Sequence, residues 1–375
     1  MKIGLLTLPL YNNYGGFLQA YALKAILETM GHEVWLLRLE SPRIYENWKL
    51  RLIYLKNRPI NKLKHLPNPC CTRKEYEIIE NNFINFKENH FPRKTPRFLS
   101  GRNLGEYIKK NGFDGIVVGS DQVWRPLYTD IRNSFLSFCE DNTLIKRVAY
   151  AASFGVSQWE FTEKQTFDCR RLASLFDYIS VREDSAVHLC REYLGINATH
   201  VLDPTMLLDK EDYIALIKKW NEPESTGDLF YYILDRSDNI DTLINKVESK
   251  TGLTSFTVYP RLAPTVENFK ENSNECIFPR VTQWLRAFQD SKIVVTNSFH
   301  GCVFSIIFNV PFWCIGNTER GNARFDSLLK LFHLERRLID PNTDKIDYNE
   351  PINWEEVNRI RNNMIIKSKT VFDYL

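Results

Sequence analysis

Five polar breaks between apolar runs gather the residues of this chain that could move a proton or hold an anion. One is Asn297-Ser298-Phe299-His300-Gly301. His300 can exchange a proton near neutral pH, Ser298 can cap a following helix, and Gly301 would let a ligand reach the backbone. Gly119-Ser120-Asp121-Gln122-Val123-Trp124-Arg125-Pro126 is a second. There Asp121 could accept a proton from a sugar hydroxyl while Trp124 stacks on the ring, though Ser120 and Asp121 equally suit a cap or a turn. Arg182-Glu183 and Asp203-Pro204-Thr205 are the third and fourth. Arg182 could clamp a carboxylate or phosphate through two parallel hydrogen bonds, or simply pair with Glu183 or Asp184 at the surface. The fifth, Glu319-Arg320-Gly321-Asn322-Ala323-Arg324-Phe325, adds two cations beyond the His300 loop.

Each break needs an element that carries it to a common place. Short β-branched or apolar runs at 2–8, 33–39, 115–119, 148–152, 178–181 and 199–202 predict strands, with a helix at 18–30. The alternation implies a doubly wound parallel sheet. A second series follows: a helix at 212–220, strands at 229–234 and 255–258, a helix at 281–288, then a β-α-β unit of strand 292–296, helix 302–308 and strand 311–315. In such sheets ligands collect where strand carboxyl ends meet helix amino termini. The reading is an α/β protein of two Rossmann-like domains facing a cleft, residues 1–205 and 206–352, with a last helix from 353–375 that crosses back onto the first. After the first strand, Tyr11-Asn12-Asn13-Tyr14-Gly15-Gly16-Phe17 occupies the position of a phosphate-binding turn. Its spacing is not GxGxxG, so a dinucleotide is poorly supported and two glycines in a tight turn explain it as well.

With 375 residues, 43% of them apolar, the chain can bury two cores, and a net charge of +3 is too small for a dedicated nucleic-acid binder. Eight scattered cysteines without paired CxxC spacing predict reduced packing residues in a cytoplasmic protein. No HExxH or clustered ligand pattern suggests a metal. Between about 41 and 100 the pattern changes. Arg43, Lys49, Arg51, Lys56, Arg58, Lys62 and Lys64 interleave with Tyr45, Trp48, Tyr54 and Leu55. This is either a helical insertion with a solvated basic face or an amphipathic surface for anionic lipid, which would place the protein peripherally at the inner face of a membrane.

In their order along the chain, the Asn13-Tyr14-Gly15-Gly16 loop, the GSDQVW segment, Val181-Arg182-Glu183, Asp203-Pro204, the Ser298-Phe299-His300-Gly301 loop and Arg324-Phe325-Asp326-Ser327-Leu328-Leu329 resemble the polysaccharide pyruvyl transferase family. The resemblance implies a fold similar to GT-B glycosyltransferases. It also implies transfer of a pyruvyl group from phosphoenolpyruvate, as co-substrate and without a resident cofactor, onto two hydroxyls of a sugar or lipid-linked oligosaccharide, releasing phosphate. On that reading Arg182, Ser298, Phe299, His300, Gly301, Arg320 and Arg324 face the donor, and His300, Arg182 and Asp121 are catalytic. Asn13, Tyr14, Gly15, Gly16, Asp121, Gln122 and Trp124 would face the acceptor. Some family members carry arginine where this chain has Ser298, so Arg324, with Arg320 in reserve, is the expected substitute cation. The alternatives are a glycosyltransferase using a nucleotide sugar and a non-catalytic glycan-binding subunit.

Overall fold

The computed structural model describes residues 1–63, 68–70, 72–316, 321–342, 346–347 and 350–375. Among them are two parallel sheets. The first holds β1 (Lys2–Leu6), β2 (Glu33–Leu36), β3 (Gly115–Val118), β4 (Lys146–Ala152), β5 (Tyr178–Val181) and β6 (Thr199–His200), in the order β2-β1-β3-β4-β5-β6. The second holds β7 (Leu229–Tyr232), β8 (Ser255–Phe256), β9 (Ile293–Thr296), β10 (Phe312–Ile315) and β11 (Leu338–Ile339), in the order β11-β10-β9-β7-β8. Buried on both faces, β3 and β9 are continuously apolar, as a parallel sheet covered by helices requires.

Where the expected elements shift, local chemistry explains it. Helix α1 (Tyr14–Thr29) starts four residues earlier than its apolar period suggests, because the Asn13 side chain accepts from Gly16 N and caps it. The supposed turn is therefore the first turn of a helix. Likewise the helix Phe299–Phe308 begins at its Ser298 cap, which accepts from Gly301 N. β4 bulges between Ala149 and Ala152. There Ala151 takes a positive φ of 47°, its N–H donates to Ser180 Oγ at 3.1 Å, and that hydroxyl donates to Ala149 O at 2.8 Å. The bulge turns Ala151 O toward Ser120 Oγ, which donates to it at 2.9 Å.

The insertion is helical, but only part of it is an appendage. Phe83, Phe86 and Phe91 are buried, and Phe83 packs on Tyr14 and Phe17, so this stretch completes the core over α1. Helix α2 (Trp48–Leu63) carries the basic residues and stays exposed along most of its described length.

Aromatic packing also joins the two sheets. Tyr14 stacks on Trp284 with centroids 5.6 Å apart, and its hydroxyl donates to Pro279 O at 3.0 Å. The carboxyl-terminal helix Trp354–Lys369 lies against the first sheet's side: Ser368 Oγ accepts from Leu202 N, Arg361 donates to Met206 O and Leu208 O, and Phe372 stacks on Tyr150. Among the described residues no helix is long and apolar enough to cross a membrane, and no group of three or more potential metal ligands stands together.

Candidate active site

Three strand ends of the first sheet deliver a buried charge cluster. Arg182, just beyond β5, donates from one η nitrogen to Asp203 Oδ2 at 2.9 Å, from the other to Asp121 Oδ1 at 3.3 Å, and from Nε to Glu183 Oε1 at 3.3 Å. Its guanidinium face lies 4.3 Å from the centre of the Phe299 ring. Asp121 holds a positive φ of 66°, a left-handed conformation that aspartate tolerates, and its carbonyl accepts from Ser153 N. Ser120 is tied to Gln19, which accepts from Ser120 N at 2.8 Å and donates to Thr7 Oγ1 and Gly16 O. Thus β1, β3, β5 and α1 share one polar scaffold.

His300 closes this cluster from the second sheet. Its Nε2 stands 3.6 Å from Asp203 Oδ2, just beyond hydrogen-bond length and with no other partner among the described residues. The other edge of the ring rests on Gly15, where a Cβ would overlap Nδ1 and Cγ. Two helix amino termini, those of α1 and of Phe299–Phe308, therefore meet at the imidazole, and their unpaired N–H groups favour negative charge there. Gly301 is needed for a different reason: a Cβ there would run into the Thr296 side chain, which accepts from Ser298 N and fixes the loop.

The electrostatics separate the carboxylates. Burial pushes Asp203 upward, but His300, Arg182 and the Thr205 hydroxyl more than offset it and hold the group well below the usual carboxylate range. For Glu183 burial prevails over Arg182 and the Ser153 hydroxyl, and its pKa rises. Burial alone would lower the pKa of Arg182; Glu183, Asp121 and Asp203 reverse that and raise it. Arg324, on the helix Ala323–Leu331, is the opposite case. Desolvation and the charge of Arg182 lower its pKa, and its buried Nε has no acceptor among the described residues.

These positions revise several expected roles. Arg182 is neither an open clamp nor a surface pair: it is 4% exposed and engaged by three carboxylates. Trp124 is fully buried, stacked on Phe135 at 4.6 Å and packed on Phe154, so no sugar can lie on it. Tyr14 is core, Asn13 and Gly16 form the α1 cap, and Gln122 packs on Gly155 and accepts from Arg125. Arg320 lies outside the described residues. Gly15, Asp121, Phe299, His300 and Arg182 are brought together; Asp203, Glu183, Ser120 and Ser153 join them although they were not singled out as site residues. Asp203 and Glu183 had a legible signal, since each directly follows a strand as part of Asp-Pro or Arg-Glu.

The sequence profile that matches residues 13–319 is that described as "Polysaccharide pyruvyl transferase". The chain belongs to the polysaccharide pyruvyl transferase family. A search of curated proteins gives no match. Among solved structures, UGT89C1 of Arabidopsis thaliana complexed with UDP-L-rhamnose is similar at 10% identity, covering 99% of this chain and 98% of that one, with a TM-score of 0.52. The UDP-GlcNAc 2-epimerase of Methanocaldococcus jannaschii is 14% identical over 97% of this chain and 93% of its own, with a TM-score of 0.45. At such identities the likeness is one of fold: this family member has the GT-B architecture of two parallel-sheet α/β domains.

The contact between Gly15 and His300 gives a direct prediction. Gly15→Ala must drive the imidazole off Asp203, and a misplacement of about 1 Å at a reacting group can cost roughly 100-fold in rate. Pyruvyl transfer by the variant should fall by that order while its melting temperature stays within reach of wild type, measurable by product formation and calorimetry. Unchanged transfer would mean that His300 is not held by this contact during the reaction.

Proposed function

We propose that the protein transfers the pyruvyl group of phosphoenolpyruvate to two hydroxyls of a sugar, forming a pyruvate ketal and releasing phosphate. The observation that carries this reading is His300, set between an ionised carboxylate and two helix amino termini, in a site where Arg324, near Arg182 and Asp121, has a buried Nε without an acceptor among the described residues. Phosphoenolpyruvate brings a phosphate and a carboxylate, and it needs an acid beside that dense charge. Asp203 Oδ2 lies 3.6 Å from the imidazole and orients its Nε2 within the site. In the reaction His300 gives its proton to the methylene carbon, and C2 becomes electrophilic. One hydroxyl attacks C2 as Asp121 takes its proton. Phosphate departs by cleavage of its bond to C2, and a second hydroxyl closes the ketal. One proton ends on the new methyl group and the other on phosphate.

Because Arg182 is consumed by its carboxylates, Arg324 is, among the described residues, the cation that meets the donor, with the N–H groups of Phe299 and His300 at the helix terminus. His300 is only 6% exposed and keeps its contact with Gly15, so the donor approaches it from the side of the Phe299–Phe308 helix terminus. The acceptor reading moves from Trp124 to Tyr128, an exposed ring that lines a cavity of about 160 Å³ with Thr7, Glu40, Thr129 and Asp130. Carboxylates beside an exposed aromatic suit a hydroxylated ring.

Two variants test the donor and acceptor assignments. Arg324→Ala should weaken phosphoenolpyruvate binding by about 1.5 to 3 kcal/mol, the range for hydrogen bonds to charged groups, with a melting temperature near wild type, since its desolvated Nε has no acceptor among the described residues. Tyr128→Ala should raise the KM for the sugar and spare that for the donor. Calorimetric titration with phosphoenolpyruvate and initial rates over a panel of glycosides read both effects. A purely thermal defect in Arg324→Ala would remove it from the donor site.

A further inference from the structure

Among the described residues, helix α2 presents a surface that the rest of the fold leaves exposed. It meets the rest of the chain through Tyr54, whose hydroxyl donates to Pro69 O at 2.6 Å, and Tyr54 is one of its few half-buried side chains. Trp48, Leu52 and Leu55 are 67%, 56% and 46% exposed. At about 100° per residue these three fall on one stripe, turned away from Tyr54. Lys49 and Lys56 lie along one side of the stripe, and Arg51 and Arg58 along the other. Lys49 Nζ sits 5.6 Å from the Trp48 ring. No acidic residue occurs between Glu46 and Glu75.

We infer that α2 docks the protein on an anionic lipid surface, with Trp48, Leu52 and Leu55 entering the acyl boundary and the flanking cations meeting lipid phosphates. The pattern decides the partner. A nucleic acid would take the cations but leave three large apolar side chains in water, whereas a bilayer interface takes both at once. Five cations within the helix also keep it from entering the hydrocarbon lengthwise, in line with the lack of a membrane-crossing helix among the described residues. The inference stands on α2 alone and is independent of the chemistry at His300.

Flotation of the full chain with vesicles of phosphatidylglycerol and phosphatidylcholine, against phosphatidylcholine alone, tests it. Binding is expected to the mixed vesicles, weaker to the neutral ones, and reduced by salt. Lys49→Ala with Lys56→Ala should lower the partition coefficient roughly 30-fold, about fivefold for each cation removed near a charged surface. Trp48→Ala with Leu52→Ala and Leu55→Ala should abolish binding even with anionic lipid present. All these side chains are exposed, so activity on a water-soluble acceptor should not change. As a second readout, brominated lipids should quench tryptophan fluorescence in wild type and not in Trp48→Phe. No binding by wild type, or variants that bind as wild type does, would overturn the inference and leave the stripe to a protein partner.

Discussion

Replacing His300 with glutamine should give a folded protein that still binds phosphoenolpyruvate but forms ketal roughly 10²- to 10⁴-fold more slowly, the usual contribution of a general acid. Glutamine keeps the polarity of the site and can rest against Gly15, yet it carries no proton to deliver. Asp203 would lose the partner that helps hold it ionised, so its pKa should rise toward the carboxylate norm. Rapid-quench product formation together with calorimetric titration of the donor separates the two effects. Turnover within a few-fold of wild type would remove His300 from the chemistry, and lost donor affinity with normal turnover would make it a phosphate ligand only.

Removing Arg182 should damage folding more than any other change at the site. Arg182→Leu leaves Asp121, Glu183 and Asp203 buried around an uncharged side chain, and breaking a buried ion pair by deleting one partner costs about 3 to 5 kcal/mol. Arg182→Lys should fall between the two, because an ammonium restores the charge but cannot reach three carboxylates at once. The pH dependence gives the mechanism away. In wild type Asp203 is depressed, so its contribution is present above the unfolded carboxylate pKa and is lost as the pH falls through the folded value. Without Arg182, Glu183, already raised by burial, loses its strongest counter-charge and rises further, and Asp203 is less depressed. The variant should then gain stability relative to wild type as the pH falls and lose it as the pH rises through the raised pKa of Glu183. Melting temperatures of the three proteins between mildly acidic and neutral pH would show this convergence. Parallel curves would mean that the guanidinium does not hold these groups charged.

Much of the framework was readable because it is local. The β-α-β unit around His300 announces itself through two apolar runs, and the Ser298 cap sits where a short hydroxyl side chain is most useful to a helix. What escaped was non-local. Gly15 looks like a turn residue until His300, from the other sheet, is laid against it. Arg182 looks like a ligand clamp because the carboxylates that occupy it arrive from positions 121 and 203, on other strand ends. Trp124 attracted a sugar-binding role through its polar neighbours in the sequence, yet its ring points into the core on Phe135, while Tyr128, four residues on, is the exposed aromatic. Arg324 was legible from its place, just after the strand that adjoins the His300 helix. Its distinction, a buried Nε without an acceptor among the described residues, exists only once the helix Ala323–Leu331 is packed.

The central claim is that a proton passes to the methylene carbon of phosphoenolpyruvate before a sugar captures C2. Running the reaction in deuterium oxide, with phosphoenolpyruvate and a panel of glycosides and no nucleotide, and then weighing the product, tests it most directly. The expected product is a glycoside heavier by pyruvate less one water, with one deuterium in the ketal methyl group and one phosphate released for each transfer. A product that requires a nucleotide sugar, or a transferred group without deuterium on carbon, would contradict it.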